Sequence, residues 1–81
     1  MTNEEVNQRI SRNVYYLRKE YGLSQKSLAK LLGIGVSTLR KIEKCNPFPR
    51  VNSRIIRRLA DVFFISADAI LFTDIPHVDR M

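Results

Sequence analysis

Residues 23 to 43 constrain the fold of this chain more than any other segment. They read Leu-Ser-Gln-Lys-Ser-Leu-Ala-Lys-Leu-Leu-Gly-Ile-Gly-Val-Ser-Thr-Leu-Arg-Lys-Ile-Glu. Apolar residues recur at helical spacing on both sides of Gly33, and the tetrapeptide that starts there, Gly-Ile-Gly-Val, is too short for anything but a tight bend. The segment therefore predicts two short amphipathic helices bent around Gly33, the second with small polar and cationic side chains on its outer side.

Length and composition predict a single domain. In a chain of 81 residues, folding buries only about 60 to 65% of the accessible surface, which leaves no material for a second core. A hydrophobic content of 44% is ordinary for a soluble protein, and no apolar run approaches the roughly 18 residues of a membrane span. The N-terminus lacks the pattern of a secretory signal, and the one cysteine, Cys45, cannot form an internal disulfide. These features predict a cytoplasmic protein with no membrane partner.

Positive charge is concentrated between residues 9 and 58. The net charge of the chain is +6 at pH 7, but this block holds 13 Lys/Arg against only Glu20 and Glu43, which gives the block +11. Such a density attracts polyphosphate, because each neutralised phosphate releases condensed counterions. A solvated surface that only keeps the protein soluble explains the charge equally well. Charge alone therefore leaves both interpretations open.

Helical spacing and capping residues predict five helices and no strand. The cap positions are Asn3, Ser24, Gly35, Asn52 and Ser66. Gly22 is suited to the left-handed conformation that ends a helix, and the third helix is predicted from about Val36 to Lys44. The chain is thus predicted to be all-α, with a compact five-helix domain over residues 1–72 and a C-terminal tail over 73–81 that is either frayed or held by a partner.

One face of each predicted helix is apolar and is expected to form the core. In chain order these faces contain Val6, Ile10, Val14, Leu17 and Tyr21; Leu28, Leu31 and Leu32; Leu39 and Ile42; Ile55, Ile56, Leu59, Ala60, Val62 and Phe63; and Ala69, Ile70, Leu71 and Phe72. Two prolines place a loop at residues 45–50, which Phe48 is expected to hold against the domain.

Seven short signals in order resemble the phage repressor and Cro type of helix-turn-helix proteins, also called the XRE family. They are Leu-Arg at 17, Gly-Leu-Ser-Gln at 22, Leu-Ala at 28, Gly-Ile at 33, Ile-Glu at 42, Leu-Ala at 59 and Ile-Ser at 65. The resemblance covers residues 10 to 72 and implies a lambda-repressor-like bundle. In that bundle helix two lies across the DNA backbone and helix three enters the major groove.

The resemblance also implies roles for particular residues. It places base contacts at Val36, Ser37 and Lys41, and backbone contacts at Ser24, Gln25, Arg40, Lys44, Arg50 and Arg54. The chemistry agrees, because lysine can donate to guanine O6 and N7, serine can donate or accept, and a valine methyl can pack on a thymine methyl. Arg18 and Glu43 match a pair that joins helix one to helix three by a partly buried salt bridge, a structural role.

Three positions depart from the family pattern. Gly35 stands where Ser or Thr usually caps helix three, Cys45 where a glycine is usual, and Phe64 where a turn glycine is usual. The proline-containing loop at 45–51 is also longer than is typical. These departures bear on the loop contacts to phosphate, and so on Arg50 and Arg54.

The sequence contains no cluster or motif typical of a catalytic site, a metal site or a cofactor site. It has one His and one Cys, far apart in sequence, and no glycine-rich phosphate loop. His77 has no neighbours at ligand spacing, and the core is too small to enclose a pocket for a small-molecule ligand. The sequence therefore predicts that the protein is not an enzyme and binds no metal or cofactor.

The predicted function is a sequence-specific regulator of transcription that binds double-stranded DNA. It is expected to act as a repressor and a homodimer on a pseudo-palindromic operator, with helix five, Ile75 and Val78 at the dimer surface. Two alternatives stay open: an antitoxin or antirepressor subunit that uses the same fold to bind a protein partner, and a nonspecific nucleic-acid binder that uses only the +11 block.

Overall fold

The computed structural model of the protein describes residues 3–45 and 51–75. Within these ranges the chain forms five α-helices and no strand: α1 (Asn3–Glu20), α2 (Gln25–Leu32), α3 (Val36–Lys44), α4 (Ser53–Phe63) and α5 (Ala67–Phe72). The predicted all-α class is confirmed. None of these helices combines the length and hydropathy that crossing a bilayer requires.

Polar side chains cap three of the helices, as predicted. The Ser24 hydroxyl accepts from the Ser27 amide at 3.0 Å, and the Asn52 side-chain oxygen accepts from the Ile55 amide at 2.9 Å. The Ser66 hydroxyl accepts from the Ala69 amide at 3.1 Å. Each bond satisfies one of the amides that a helix start leaves unpaired. Gly35 occupies the cap of α3 without a side-chain bond, and the side chain of Asn3, the predicted cap of α1, lies outside the described residues.

Four of the helices are followed by a residue in the left-handed conformation. Gly22 and Gly33 have φ of 65° and 71°, while Cys45 and Phe64 have φ of 57° and 56°. A side chain in this conformation is strained by roughly 1 to 2 kcal/mol, and glycine is not. The two departures from the family pattern at Cys45 and Phe64 therefore lie where the backbone favours glycine most.

The core lies where the five helices meet. Its buried apolar residues are Ile10, Val14, Leu17, Leu28, Ala29, Leu32, Leu39, Ile42, Ile55, Ile56, Leu59, Phe63, Ile70 and Ile75. Helix α1 packs against α3 and α5, and α2 packs against α3 and α4. The predicted core face of α3 is confirmed, since Leu39 and Ile42 are fully buried, and α4 buries four of the six residues predicted on its core face.

Three residues predicted to be in the core are exposed, and five others, Val6, Ala60, Val62, Ala69 and Leu71, are only partly buried. Leu31 is 47% exposed, because it lies about 100° around α2 from the middle of the arc that contains the buried Leu28, Ala29 and Leu32. Phe72 is 57% exposed, at the end of the short helix α5. Tyr21 is half exposed, although its ring meets Phe63 edge-on and its hydroxyl donates to the Phe63 carbonyl at 3.1 Å.

The start of the predicted tail belongs to the core of this chain. The Asn13 side chain, fully buried on α1, donates to the carbonyls of Ile70 and Thr73 at 2.9 and 2.8 Å and accepts from the amide of Ile75 at 3.2 Å. Ile75 is buried as a result. The prediction that Ile75 lies on a dimer surface is therefore wrong, and Val78 lies outside the described residues.

Candidate nucleic-acid interface

The bend between α2 and α3 is fixed by backbone hydrogen bonds. The Gly33 amide donates to the Lys30 carbonyl at 3.2 Å, and the Ile34 amide donates to the Ala29 carbonyl at 3.0 Å. The left-handed φ of Gly33 allows both bonds, and they close the end of α2 in the way that glycine commonly ends a helix. Ile34 then packs against the core from its edge. The direction of α3 relative to α2 is therefore set by the bend and by the buried residues of both helices.

The outer face of α3 presents polar and cationic side chains to solvent. Ser37, Arg40, Lys41 and Lys44 are exposed, as the sequence predicts. Val36 is only partly buried and packs against the edge of the core. Of the three predicted base contacts, Ser37 and Lys41 are thus freely accessible, whereas Val36 offers part of its surface.

Arg18 and Glu43 join α1 to α3 by a buried, bidentate ion pair. Arg18 Nε donates to Glu43 Oε2 at 2.7 Å and Arg18 Nη2 donates to Glu43 Oε1 at 3.0 Å. Their side chains are only 9% and 5% exposed. Arg18 Nη1 also donates to the Leu23 carbonyl at 3.0 Å, which ties the same guanidinium to the turn before α2. One arginine therefore holds the start of α2 and the end of α3 together.

Gln25 connects this buried pair to the surface. Its Nε2 donates to Glu43 Oε1 at 3.1 Å, and its Oε1 accepts from Arg40 Nε at 3.3 Å. Because Glu43 can only accept and Arg40 can only donate, these partners fix which end of the Gln25 amide faces each of them. Gln25 was predicted to contact phosphate with its side chain and its backbone, and in this structure each end of that side chain makes a hydrogen bond within the protein.

The other predicted backbone contacts differ in their position relative to these bonds of Gln25. Ser24 is exposed at the start of α2, where its hydroxyl bonds to Ser27. Arg54 is exposed in the first turn of α4. Arg50 lies outside the described residues, as does Phe48 in the same loop. The structure thus brings Ser24, Gln25 and Arg40 together and leaves Arg54 on a separate helix.

Sequence reasoning missed two polar residues of α1 that bond to distant segments. The Ser11 hydroxyl donates to the Glu43 carbonyl at 2.6 Å, and Asn13 holds the C-terminal segment. The position of Ser11 in the sequence could have predicted its burial. Ser11 precedes Arg18 by seven residues and so lies on the same side of α1. A polar residue at buried spacing predicts a satisfied hydrogen bond, but not which distant group provides it.

The described residues contain no group of three His, Cys, Asp or Glu side chains able to hold a metal ion. His77 lies outside these ranges. The accessible chemistry of the α2 and α3 face is instead cationic and hydrogen-bonding, and the diameter of an α-helix, about 10 to 12 Å with its side chains, fits a groove about 12 Å wide.

A bent helix pair with an exposed cationic second helix, inside a five-helix core, defines a helix-turn-helix protein. Comparison with known families agrees: the family described as helix-turn-helix matches residues 14–70. The chain belongs to this family, in its XRE type, as the sequence resemblance predicted.

One relative comes from Bacillus subtilis (strain 168). The relative is named uncharacterized HTH-type transcriptional regulator YazB. It is 46% identical to the chain over 57 residues, which cover 70% of this chain and 80% of the relative. No solved structure matches the chain significantly.

Proposed function

We propose that this protein is a sequence-specific regulator of transcription that binds double-stranded DNA and represses as a homodimer on a pseudo-palindromic operator. The observation that carries the proposal is the exposed face of α3, which the buried Arg18 and Glu43 pair holds in a fixed direction. The name of the Bacillus subtilis relative, an HTH-type transcriptional regulator, supports regulation of transcription.

In the proposed complex α3 lies in the major groove and α2 lies across the DNA backbone. Lys41 donates to guanine O6 and N7, Ser37 bonds to an adjacent base edge, and the exposed part of Val36 packs on a thymine methyl. Arg40 and Lys44 neutralise flanking phosphates. Phosphate contacts fix the position of the protein, so that Lys41 and Ser37 provide most of the sequence discrimination.

The hydrogen bonds that Gln25 makes with Glu43 and Arg40 suggest how Gln25 affects DNA binding. Because the Gln25 side chain is bonded to Glu43 and Arg40, we propose that it acts by holding Arg40 next to the start of α2. The unpaired amides at that helix start are then available to a phosphate oxygen. Gln25 would thus affect phosphate binding through the direction of Arg40.

Selection from random DNA duplexes at two salt concentrations tests the proposed function. A regulator of this kind returns an inverted repeat. A steep loss of affinity with salt and no motif would identify a nonspecific binder instead. Weak binding with neither property would favour the protein-interaction alternative, an antitoxin or antirepressor subunit, and would contradict the proposal.

Lys41→Ala is expected to relax the preference at one base position of the selected site, at a cost of about 1 to 3 kcal/mol in binding. Gln25→Ala is expected to weaken all sites alike, because phosphate contacts carry no sequence information. Parallel selections and titrations of both variants measure the difference. A uniform loss from Lys41→Ala would reassign Lys41 to the phosphates.

We propose that the dimer surface is centred on α5 and its exposed aromatic residues. Phe64 is 88% exposed and Phe72 is 57% exposed, at the two ends of the segment that contains α5. Phe64 is also held at φ 56°, so the chain keeps a large apolar residue where both exposure and backbone strain disfavour it. Such a combination is typical of a residue retained for binding. A two-fold dimer places its two recognition helices about 34 Å apart, one turn of B-DNA.

Phe64→Gly is expected to raise the stability of dilute protein by about 1 kcal/mol, which corresponds to a rise of about 4 to 8 °C in Tm, because glycine relieves the left-handed strain. The same change should shift the mass measured by light scattering from dimer to monomer. Gly33→Ala is the opposite control, since it adds strain at φ 71° and should lower Tm. A dimer that persists in both Phe64→Gly and Phe72→Ser would place the interface elsewhere.

A further inference from the structure

The polar face of α4 forms one wall of a groove. Of the residues that line this groove, only Arg54 was predicted to contact DNA. Three arginines and an aspartate lie within an arc of about 100° on this helix, by the geometry of 3.6 residues per turn. The groove has a volume of about 330 Å³. We call it the arginine groove, and it is lined by Leu31, Arg54, Arg57, Arg58, Asp61 and Val62.

The arginines of the groove have no side-chain partner among residues 3–45 and 51–75. No guanidinium of Arg54, Arg57 or Arg58 donates a hydrogen bond or forms an ion pair with the part of the chain that the structure describes. All three are exposed, and like charges three and four residues apart on a helix repel each other. A negatively charged occupant would remove this repulsion and could accept bidentate hydrogen bonds from the guanidinium groups.

The groove also has an apolar component. Leu31 is 47% exposed and Val62 is partly exposed beside it. Leu31 lies about 9 Å along α2 from Gln25 and about 120° around its axis, so it points away from the contact between Gln25 and Arg40. The arginine groove is therefore a second surface and not an extension of the Gln25 network.

We infer that the arginine groove binds an acidic amphipathic helix of a partner protein. Carboxylates of the partner would pair with Arg57 and Arg58, and an apolar side chain would cover Leu31 and Val62. A DNA backbone fits less well, because phosphates offer no apolar group to cover Leu31 and Val62. The arginines of the groove are complementary in charge to an acidic partner, and Leu31 and Val62 match the apolar side of an amphipathic helix.

A synthetic peptide of about 14 residues, long enough to form a few helical turns, tests the inference. Its Leu residues form one stripe along the helix and its Glu residues form the adjacent stripe, so that both can face the groove, and a scrambled peptide of the same composition is the control. Titration into ¹⁵N-labelled full chain should shift the amides around Leu31 and along α4, with an affinity about tenfold above that of the scrambled peptide. Equal affinities for both peptides, or shifts centred on α3, would overturn the inference.

Two substitutions distinguish binding of a protein partner from binding of DNA in this groove. Leu31→Ser should weaken peptide binding about fivefold and leave duplex affinity within about twofold, because it removes apolar contact without changing charge. Arg58→Ala should weaken the peptide about tenfold, whereas Lys19→Ala removes the same charge from an exposed site on α1 and should have little effect. If Arg58→Ala instead weakened duplex binding about tenfold and Leu31→Ser left the peptide unaffected, the groove would be a nucleic-acid contact.

Discussion

Glu43→Ala is expected to lower the free energy of unfolding by about 3 to 5 kcal/mol, because it leaves the Arg18 guanidinium buried without its counter-charge. The Glu43 carboxylate accepts from Arg18 through both oxygens and from Gln25 through one of them. For a domain of this size the loss corresponds to a fall in Tm of at least about 10 °C. Thermal and urea denaturation followed by circular dichroism measure it.

Two further variants make the result specific to the pair. Glu20→Ala removes a carboxylate from an exposed position at the end of α1 and should change stability by no more than about 0.5 kcal/mol. The double variant Arg18→Met with Glu43→Leu removes both charges and should recover much of the loss, since apolar residues often replace a buried ion pair at little cost. A melting curve unchanged by Glu43→Ala would refute the assignment of a buried pair.

Asn13→Ala is expected to cost about 3 kcal/mol, because it breaks three hydrogen bonds that each contribute about 1 kcal/mol. It also leaves the carbonyls of Ile70 and Thr73 and the amide of Ile75 without their partner. Hydrogen exchange should show faster exchange at residues 70–75 than the global loss of stability accounts for.

Asn7→Ala is the matched control, because Asn7 lies on the same helix and is not buried. It should leave exchange at residues 70–75 unchanged and stabilise α1 slightly, since alanine is the better helix former. Unchanged protection of this segment in Asn13→Ala would show that packing of Ile75, or the contacts of Arg9 and Arg12 with Asp74, holds it instead.

Local patterns predicted most of the helices and their caps correctly. Ser24, Asn52 and Ser66 each cap the helix that follows them, because a cap depends on a side chain and an amide three residues away. The errors at Leu31 and Phe72 have a different origin. Periodicity identifies an apolar face but not its width, and the neighbouring helices decide how far around α2 and α5 that face is covered.

The candidate site was predicted in part. The outward face of α3 follows from helical spacing, whereas the pairing of Arg18 with Glu43 came from the family resemblance, since two charges 25 residues apart have no local reason to meet. The connection through Gln25 could not be predicted from either source. The sequence around Gln25 is the same whether its side chain is free or bonded to Glu43 and Arg40.

By itself the sequence determined the bent helix pair at 23–43, the cationic outer face of α3 and the positions of the helix ends. All three depend on groups within a few residues of each other. The tertiary structure decided which polar groups meet across the core: Arg18 with Glu43, and Asn13 with residues 70–75. It also placed Ile75 inside the core and left Leu31 beside the arginines of α4. These outcomes depend on how the helices pack, because burial and hydrogen bonding between distant segments are properties of the assembled fold.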